Sequence, residues 1–162
     1  MKIIGKNPIT GLDYPDPDVI RVDDTYYMVS TTMHFVPGCE ILRSYDLVHW
    51  EHLSYVYERL DSTEEQRLVG EKNCYGKGMW AASLRYHKGM YYICFVANDT
   101  GKTYLYTADN IEGPWEKRII EGFYHDCSLL FEDDHVYIVS GNRNTVSYTH
   151  LRAHRPLYIS YA

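Results

Sequence analysis

Asp16, held between prolines in Tyr14-Pro15-Asp16-Pro17-Asp18, and Asp126, which follows His125, have the clearest capacity for chemistry in this 162-residue chain. Two carboxylates in one confined site can divide a glycoside hydrolysis between them. One accepts a proton from water, and a protonated one supplies the leaving group's proton. A third carboxylate nearby raises the acid's pKa by like-charge repulsion. Taken singly, each Asp has a plainer reading: the Pro-Asp-Pro run could be a rigid turn whose carboxylates bond local amides, and Asp126 could cap a turn. Spacing does not say which Asp plays which part. Trp80, in Gly78-Met79-Trp80-Ala81-Ala82, offers a flat surface suited to a sugar ring, although the core is the ordinary place for an indole.

The elements that must position these residues repeat. Asp18–Ser30, Ser83–Cys94 and Ser128–Ser140 each read as strand, tight polar turn, strand, with turns at Asp23-Asp24, Lys88-Gly89 and Asp133-Asp134. Tyr27, Tyr92 and Tyr137 fall at one register position in the second strand. Tyr27 and Tyr92 are 65 residues apart, and so are Trp50 and Trp115, so a later part of the unit repeats with the hairpin. A four-stranded antiparallel unit fits that period, and such units in series predict the blades of an all-β fold, a β-propeller. A β-sandwich of similar hairpins is the competing architecture. Helical periodicity is nearly absent: Ser62–Val69 is short and highly charged, so residues 57–79 read as an inter-blade loop with at most a helical turn.

Eleven residues before each register Tyr stand Asp16, Ala81 and Asp126. Innermost propeller strands begin around the central channel, so equivalent positions converge on the axis. That expectation sets two carboxylates face to face across a funnel, with Trp80 beside the third position.

Composition narrows the partners. A net charge of −6, with no segment that concentrates Lys and Arg, argues against a surface that tracks nucleic-acid phosphates. Seventeen Tyr among 15% aromatic residues suit strands and sites that stack flat polar ligands, which favours sugar binding. No run of 18 apolar residues spans a membrane, and Met1-Lys2-Ile3-Ile4-Gly5-Lys6 lacks the apolar stretch of a signal peptide, so a cytoplasmic location is expected. Cys39, Cys74, Cys94 and Cys127 have neither CxxC spacing nor a disulfide pattern and read as buried thiols; the eight histidines show no metal motif.

In order along the chain, these motifs resemble the start of a glycoside hydrolase family 43 catalytic domain, a five-bladed β-propeller. The resemblance runs from Asn7-Pro8-Ile9 to Asn142 and is carried by Tyr14-Pro15-Asp16-Pro17-Asp18, Pro37-Gly38, Ser44-Tyr45-Asp46-Leu47-Val48-His49-Trp50, Gly78-Met79-Trp80-Ala81-Ala82, Gly113-Pro114-Trp115 and His125-Asp126 followed by Ser128-Leu129-Leu130-Phe131. It implies that Asp16 is the general base that activates water, and that Asp126 orients the general acid and raises its pKa. It also implies that Trp80 and Ala81 line the sugar subsite with His125 beside them, and that hydrolysis inverts the anomeric centre. Met33 stands where β-xylosidase relatives often carry Phe near the sugar, and Cys127 where the family usually has Pro after His-Asp. The family's general acid is a Glu in a later blade, often before Gly-Pro. Glu112-Gly113-Pro114 imitates that context but sits in the turn before Trp115, so the acid is expected past the end of this chain. No cofactor is expected. Calcium near the axis is the one metal the resemblance leaves open, and no ligand set for it is readable.

The resulting expectation is an incomplete propeller of two to three blades over residues 1–144, from an enzyme that removes terminal xylosyl or arabinofuranosyl units from small xylan-derived oligosaccharides. A non-catalytic carbohydrate-binding propeller is the alternative, which the retained pair Asp16 and Asp126 disfavours. The repeat stops after Asn144, and residues 145–162 resemble a translated sequencing-library adapter, so they read as a non-native read-through tail. Oligomeric state leaves no visible mark.

Overall fold

The computed structural model of the chain describes residues 5–132 and 135–141 and the backbone of two further strands, 147–152 and 159–161. Among the described residues twelve strands form three four-stranded antiparallel sheets, each wound in sequence order. The first sheet holds β1 (Asp18–Val22), β2 (Thr25–Val29), β3 (Gly38–Ser44) and β4 (Glu51–Tyr57); the second holds β5 (Met79–His87), β6 (Met90–Ala97), β7 (Lys102–Ala108) and β8 (Glu116–Ile120). The third holds β9 (Ser128–Glu132), β10 (His135–Ser140), β11 (Ser147–Arg152) and β12 (Ile159–Tyr161). Three successive meanders are three blades, which matches the expected repeat.

The hairpins form where alternation and turn chemistry agree. Asp23 (φ 53°) opens the β1–β2 turn, and Lys88 (φ 47°) with Gly89 (φ 81°) makes the β5–β6 turn, where positive φ matches the twist of a two-residue hairpin. The expected turn at Asp133-Asp134 lies outside the described residues. Tyr27 pairs with Ile20, Tyr92 with Arg85 and Tyr137 with Leu130, so the register tyrosines occupy one ladder position in all three blades. Trp50 and Trp115 each immediately precede the outermost strand of their blade. Residues 145–162, set apart by the sequence reading, contain β11 and β12, and β11 pairs with β10 along its whole length.

Two apolar seams hold the blades together. Ile93 and Phe95 of β6 join Val29, Ile41, Met79, Leu84 and Tyr104 between the first and second blades. Tyr92 and Cys94 of the same strand join Leu105, Leu129, Val136 and Ile138 between the second and third. Alternate residues of β6 therefore feed opposite seams, which is why this strand is apolar almost throughout. Tyr57, Tyr104 and Tyr106 gather around Phe95 with ring centroids 5.6 to 5.9 Å from it, so part of the tyrosine content serves inter-blade packing. All four cysteines are buried and free, with the Sγ atoms of Cys94 and Cys127 3.5 Å apart across the second seam.

A polar stitch repeats between the innermost strands. Asp18 Oδ2 accepts the N–H of Leu84 at 2.9 Å, and Ser83 Oγ accepts the N–H of Leu129 at 3.2 Å. Asp18 and Ser83 are equivalent positions, as are Leu84 and Leu129. The first and second blades thus close the same bond onto the blade that follows.

The long β4–β5 connection contains only turns; Arg67 N–H bonding Thr63 O makes one helical turn, as expected. Asp61 anchors it. Its carboxylate, 12% exposed, accepts from Lys102 Nζ at 2.7 Å, Lys117 Nζ at 3.1 Å and the Tyr104 hydroxyl at 2.9 Å. Burial by itself raises the pKa of this carboxyl, and hydrogen bonds from Lys102, Tyr104 and Lys117 more than offset it, so the net shift is downward. A carboxyl whose folded-state pKa is depressed stabilises the fold above its unfolded pKa, and that contribution is lost as pH falls through the folded value. Asp61→Asn is therefore expected to lower stability by about 1–2 kcal/mol at pH 7. The difference from wild type should shrink once pH falls below about 4. Urea titrations at pH 7 and pH 3 check this, and a pH-independent difference would contradict it.

Candidate active site

The strand order fixes which end of the blades carries the site. β1, β5 and β9 all start at one end, and antiparallel alternation returns the β2–β3 and β4–β5 connections to it, while the β1–β2, β3–β4 and β7–β8 turns lie at the other. Asp16, Met33, Trp80, Ala81, His125 and Asp126 all belong to the first end. Glu112 lies in the β7–β8 turn, at the opposite end, where it cannot face Asp16.

The three equivalent positions share one backbone state: φ is 50° at Asp16, 35° at Ala81 and 50° at Asp126. Aspartate tolerates the left-handed region because its short side chain bonds locally. For Ala81 the same conformation is strained, so the surrounding structure imposes it. The repeat inferred by counting is thus a conformational repeat.

Asp16 is exposed, and one of its oxygens is fixed. Thr31 Oγ1 accepts the N–H of Ala81 at 2.8 Å, which directs the hydroxyl proton toward Asp16 Oδ2, 2.9 Å away. Thr31 N–H bonds Pro15 O at 3.0 Å, and Ser30 Oγ donates to the same carbonyl, so the end of β2 grips the Pro-Asp-Pro segment. Among the described residues Oδ1 of Asp16 has no partner and is open to accept a proton. Ala81, which by sequence has only a subsite role, supplies the amide that aims Thr31.

Trp80, one residue away, leads to the third blade. Its ring lies 6.2 Å from that of His125, tilted by 48°, and Phe123 stacks on His125 at 6.3 Å. His125 Nε2 stands 3.6 Å from Asp126 Oδ2. Among the described residues the indole N–H of Trp80 and Nδ1 of His125 are buried without a partner. Thr103 Oγ1, bonding Gly122 O at 2.9 Å and Tyr124 N–H at 3.0 Å, fixes the chain leading into His125. Met33 closes the other flank: its N–H and C=O exchange two 3.0 Å bonds with Met79, beside Trp80. Contacts therefore link all six residues singled out by sequence in one arc over three blades, from Asp16 through Thr31, Ala81 and Trp80 to His125 and Asp126, with Met33 adjoining.

Sequence reading missed Thr31 and Arg85, and each left a signal. Thr31 corresponds to Val96 in the second blade, and Arg85 to Ile20 and Leu130 in the first and third, so both are polar where their register mates are apolar. Among the described residues no cluster of three or more His, Cys, Asp or Glu could hold a metal ion. A cavity of about 540 Å³ opens beside Tyr14, Thr31, Met33, Glu40 and Tyr55 but is lined by none of Asp16, Trp80 and Asp126. Cys39, Ile41 and Val56 face the second blade, so Glu40 and Tyr55 belong to the opposite face of the first.

Comparison with known proteins follows this arc. A β-xylosidase of Formosa agariphila is 39% identical over 114 residues, which are 70% of this chain and 19% of that protein. A non-reducing end alpha-L-arabinofuranosidase of Bacteroides ovatus is 37% identical over 141 residues, 83% of this chain and 26% of that one. This chain thus spans about a fifth to a quarter of these relatives. Among solved structures, a bifunctional GH43-CE protein of Bacteroides eggerthii superposes with a TM-score of 0.86 at 45% identity over 91% of this chain and 19% of that one. A GH43 glycoside hydrolase engineered to display endo-xylanase and exo-arabinofuranosidase activity superposes with a TM-score of 0.78 at 33% identity, over 91% of this chain and 30% of its own. The three sheets are accordingly three blades of a five-bladed propeller. Because the family profile covers residues 5–160, the whole of the arc included, the chain belongs to the glycosyl hydrolases family 43.

Proposed function

We propose that this chain carries the base-bearing half of an inverting glycosidase that releases terminal xylosyl or arabinofuranosyl units from xylan-derived oligosaccharides. The observation that carries the reading is the directed contact of Thr31 with Asp16. A carboxylate with one oxygen held by an oriented hydroxyl and the other free is arranged to take a proton from water. In this reading the sugar lies against Trp80, water sits between Asp16 and the anomeric carbon, and the leaving oxygen departs from the opposite face. Asp126 orients the acid of a later blade and keeps it protonated by repelling its negative form. The names of the β-xylosidase and arabinofuranosidase relatives support a pentose substrate.

The test is made on protein carrying the complete ring, assayed on aryl xylosides and aryl arabinofuranosides with the product anomer followed by NMR. Turnover of at least one substrate with inversion is the expected result. Binding without turnover would favour a carbohydrate-binding propeller, and activity confined to hexosides would overturn the pentose assignment. Asp126→Asn is expected to move the alkaline limb of the pH–rate profile to lower pH, because loss of a negative neighbour lets the acid release its proton sooner. An unmoved limb would mark Asp126 as structural.

A further inference from the structure

Arg85 lies in β5 and reaches all three blades. Nη1 donates to Asp18 Oδ2 at 2.6 Å and to Leu84 O at 2.6 Å; Nη2 donates to Ser128 Oγ at 2.8 Å, and Nε to Leu129 O at 3.1 Å. Asp18 is two residues beyond Asp16, and Ser128 is two residues beyond Asp126. The intervening residue is Pro17, whose ring fixes φ, in the first blade and the buried Cys127 in the third, so there is little freedom between the anchored atom and the carboxylate. A guanidinium is planar, with its N–H donors in a fixed fork, and four of its five are engaged here. We propose that Arg85 is a positioning residue that sets the placement of the Asp16 carboxylate relative to that of Asp126 across the channel.

The proposal rests on the reading of those two aspartates as a working pair, but the geometry behind it is separate. Among the described residues the hydrogen bonds of Arg85 go to Asp18, Leu84, Ser128 and Leu129 and to neither the Asp16 nor the Asp126 carboxylate, so it acts through the segments that carry them. The apolar seams hold the blades together face to face, whereas the fork ties the first and third blades to one guanidinium, so the blade that carries the base and the blade that carries the residue set against the acid share one anchor. Lysine at this position can keep a charge near Asp18 but cannot also reach Ser128 and Leu129 in one plane.

Two variants in the complete ring test this: Arg85→Lys, and Ser128→Ala, which removes the Nη2 bond to the third blade and leaves the Nε bond to Leu129 O. Both should fold, with melting temperatures within a few degrees of wild type. Each should lose about 10-fold or more in kcat with KM changed by less than about 3-fold, as expected for a misplaced catalytic group. The alkaline limb of the pH–rate profile should also move, because the distance from Asp126 to the acid changes. Wild-type kcat and an unmoved limb in both variants would overturn the proposal. If the wild-type ring turns over no glycoside, the proposed function fails, and the Arg85 claim is then read from NMR titration of the Asp16 and Asp126 carboxyl groups. Altered midpoints in the two variants support it, and unaltered midpoints overturn it.

Discussion

Asp16→Asn is expected to reduce kcat by at least about 10²-fold while sugar affinity stays near wild type. The amide oxygen can take the place of Oδ2 and accept the Thr31 hydroxyl proton, and asparagine tolerates the φ of 50° as aspartate does, so the segment should keep its shape. What changes is the atom facing the water: an NH₂ group donates and cannot take a proton. The measurement pairs single-turnover rates on a substrate with a poor leaving group against calorimetric sugar binding. Retained turnover would remove Asp16 from the role of base. Loss of binding together with turnover would instead mark it as a residue that holds the substrate.

Gly78→Ala is expected to destabilise the fold by about 3 kcal/mol or more. Gly78 has φ of 90°, and a β-carbon there would lie 2.0 Å from Met33 O, the acceptor in one of the two bonds that tie Met33 to Met79. Backbone cannot swing aside as a flexible side chain can, so the bridge must break or the β5 entry must shift, and Trp80 moves with it. Gly78 O also accepts the N–H of Asn98 at 2.9 Å, so the end of β6 is affected as well as the Met33 bridge. Gly11→Ala is the control, since nothing lies within 4 Å of a β-carbon there. Urea midpoints measured side by side decide the matter, and a Gly78 variant within about 1 kcal/mol of wild type would be a failure of the steric argument.

The hairpins and the three equivalent positions were legible because they depend on neighbours in sequence. Period-two alternation and turn residues place Tyr27, Tyr92 and Tyr137 in register, and counting back reaches Asp16, Ala81 and Asp126. The relay through Thr31 was not legible, since it joins residues 15 and 50 positions apart through side-chain and backbone atoms of different blades. Arg85 was hidden for the same reason: its bond to Asp18 spans 67 residues, and only comparison with Ile20 and Leu130 marks it as unusual. Part of the tyrosine content is packing that composition alone does not locate: Tyr57, Tyr104 and Tyr106 surround Phe95 between the first and second blades. The outermost strands of the third blade lie where the count gives no Trp: the step that leads from Tyr27 to Trp50 leads from Tyr137 to Ser160, inside β12.

The stitches between innermost strands have a direction. In each, a side chain of the earlier blade waits for an amide of the later one, as Asp18 waits for Leu84 and Ser83 for Leu129. The hydroxyl that aims at Asp16 waits in the same way for the amide of Ala81. On a ribosome, where blades emerge one after another, the first blade carries Asp16 and Thr31 before Ala81 is made. The direction of the hydroxyl beside residue 16 is therefore written 65 residues downstream of it, and the first blade emerges with that bond still to be formed.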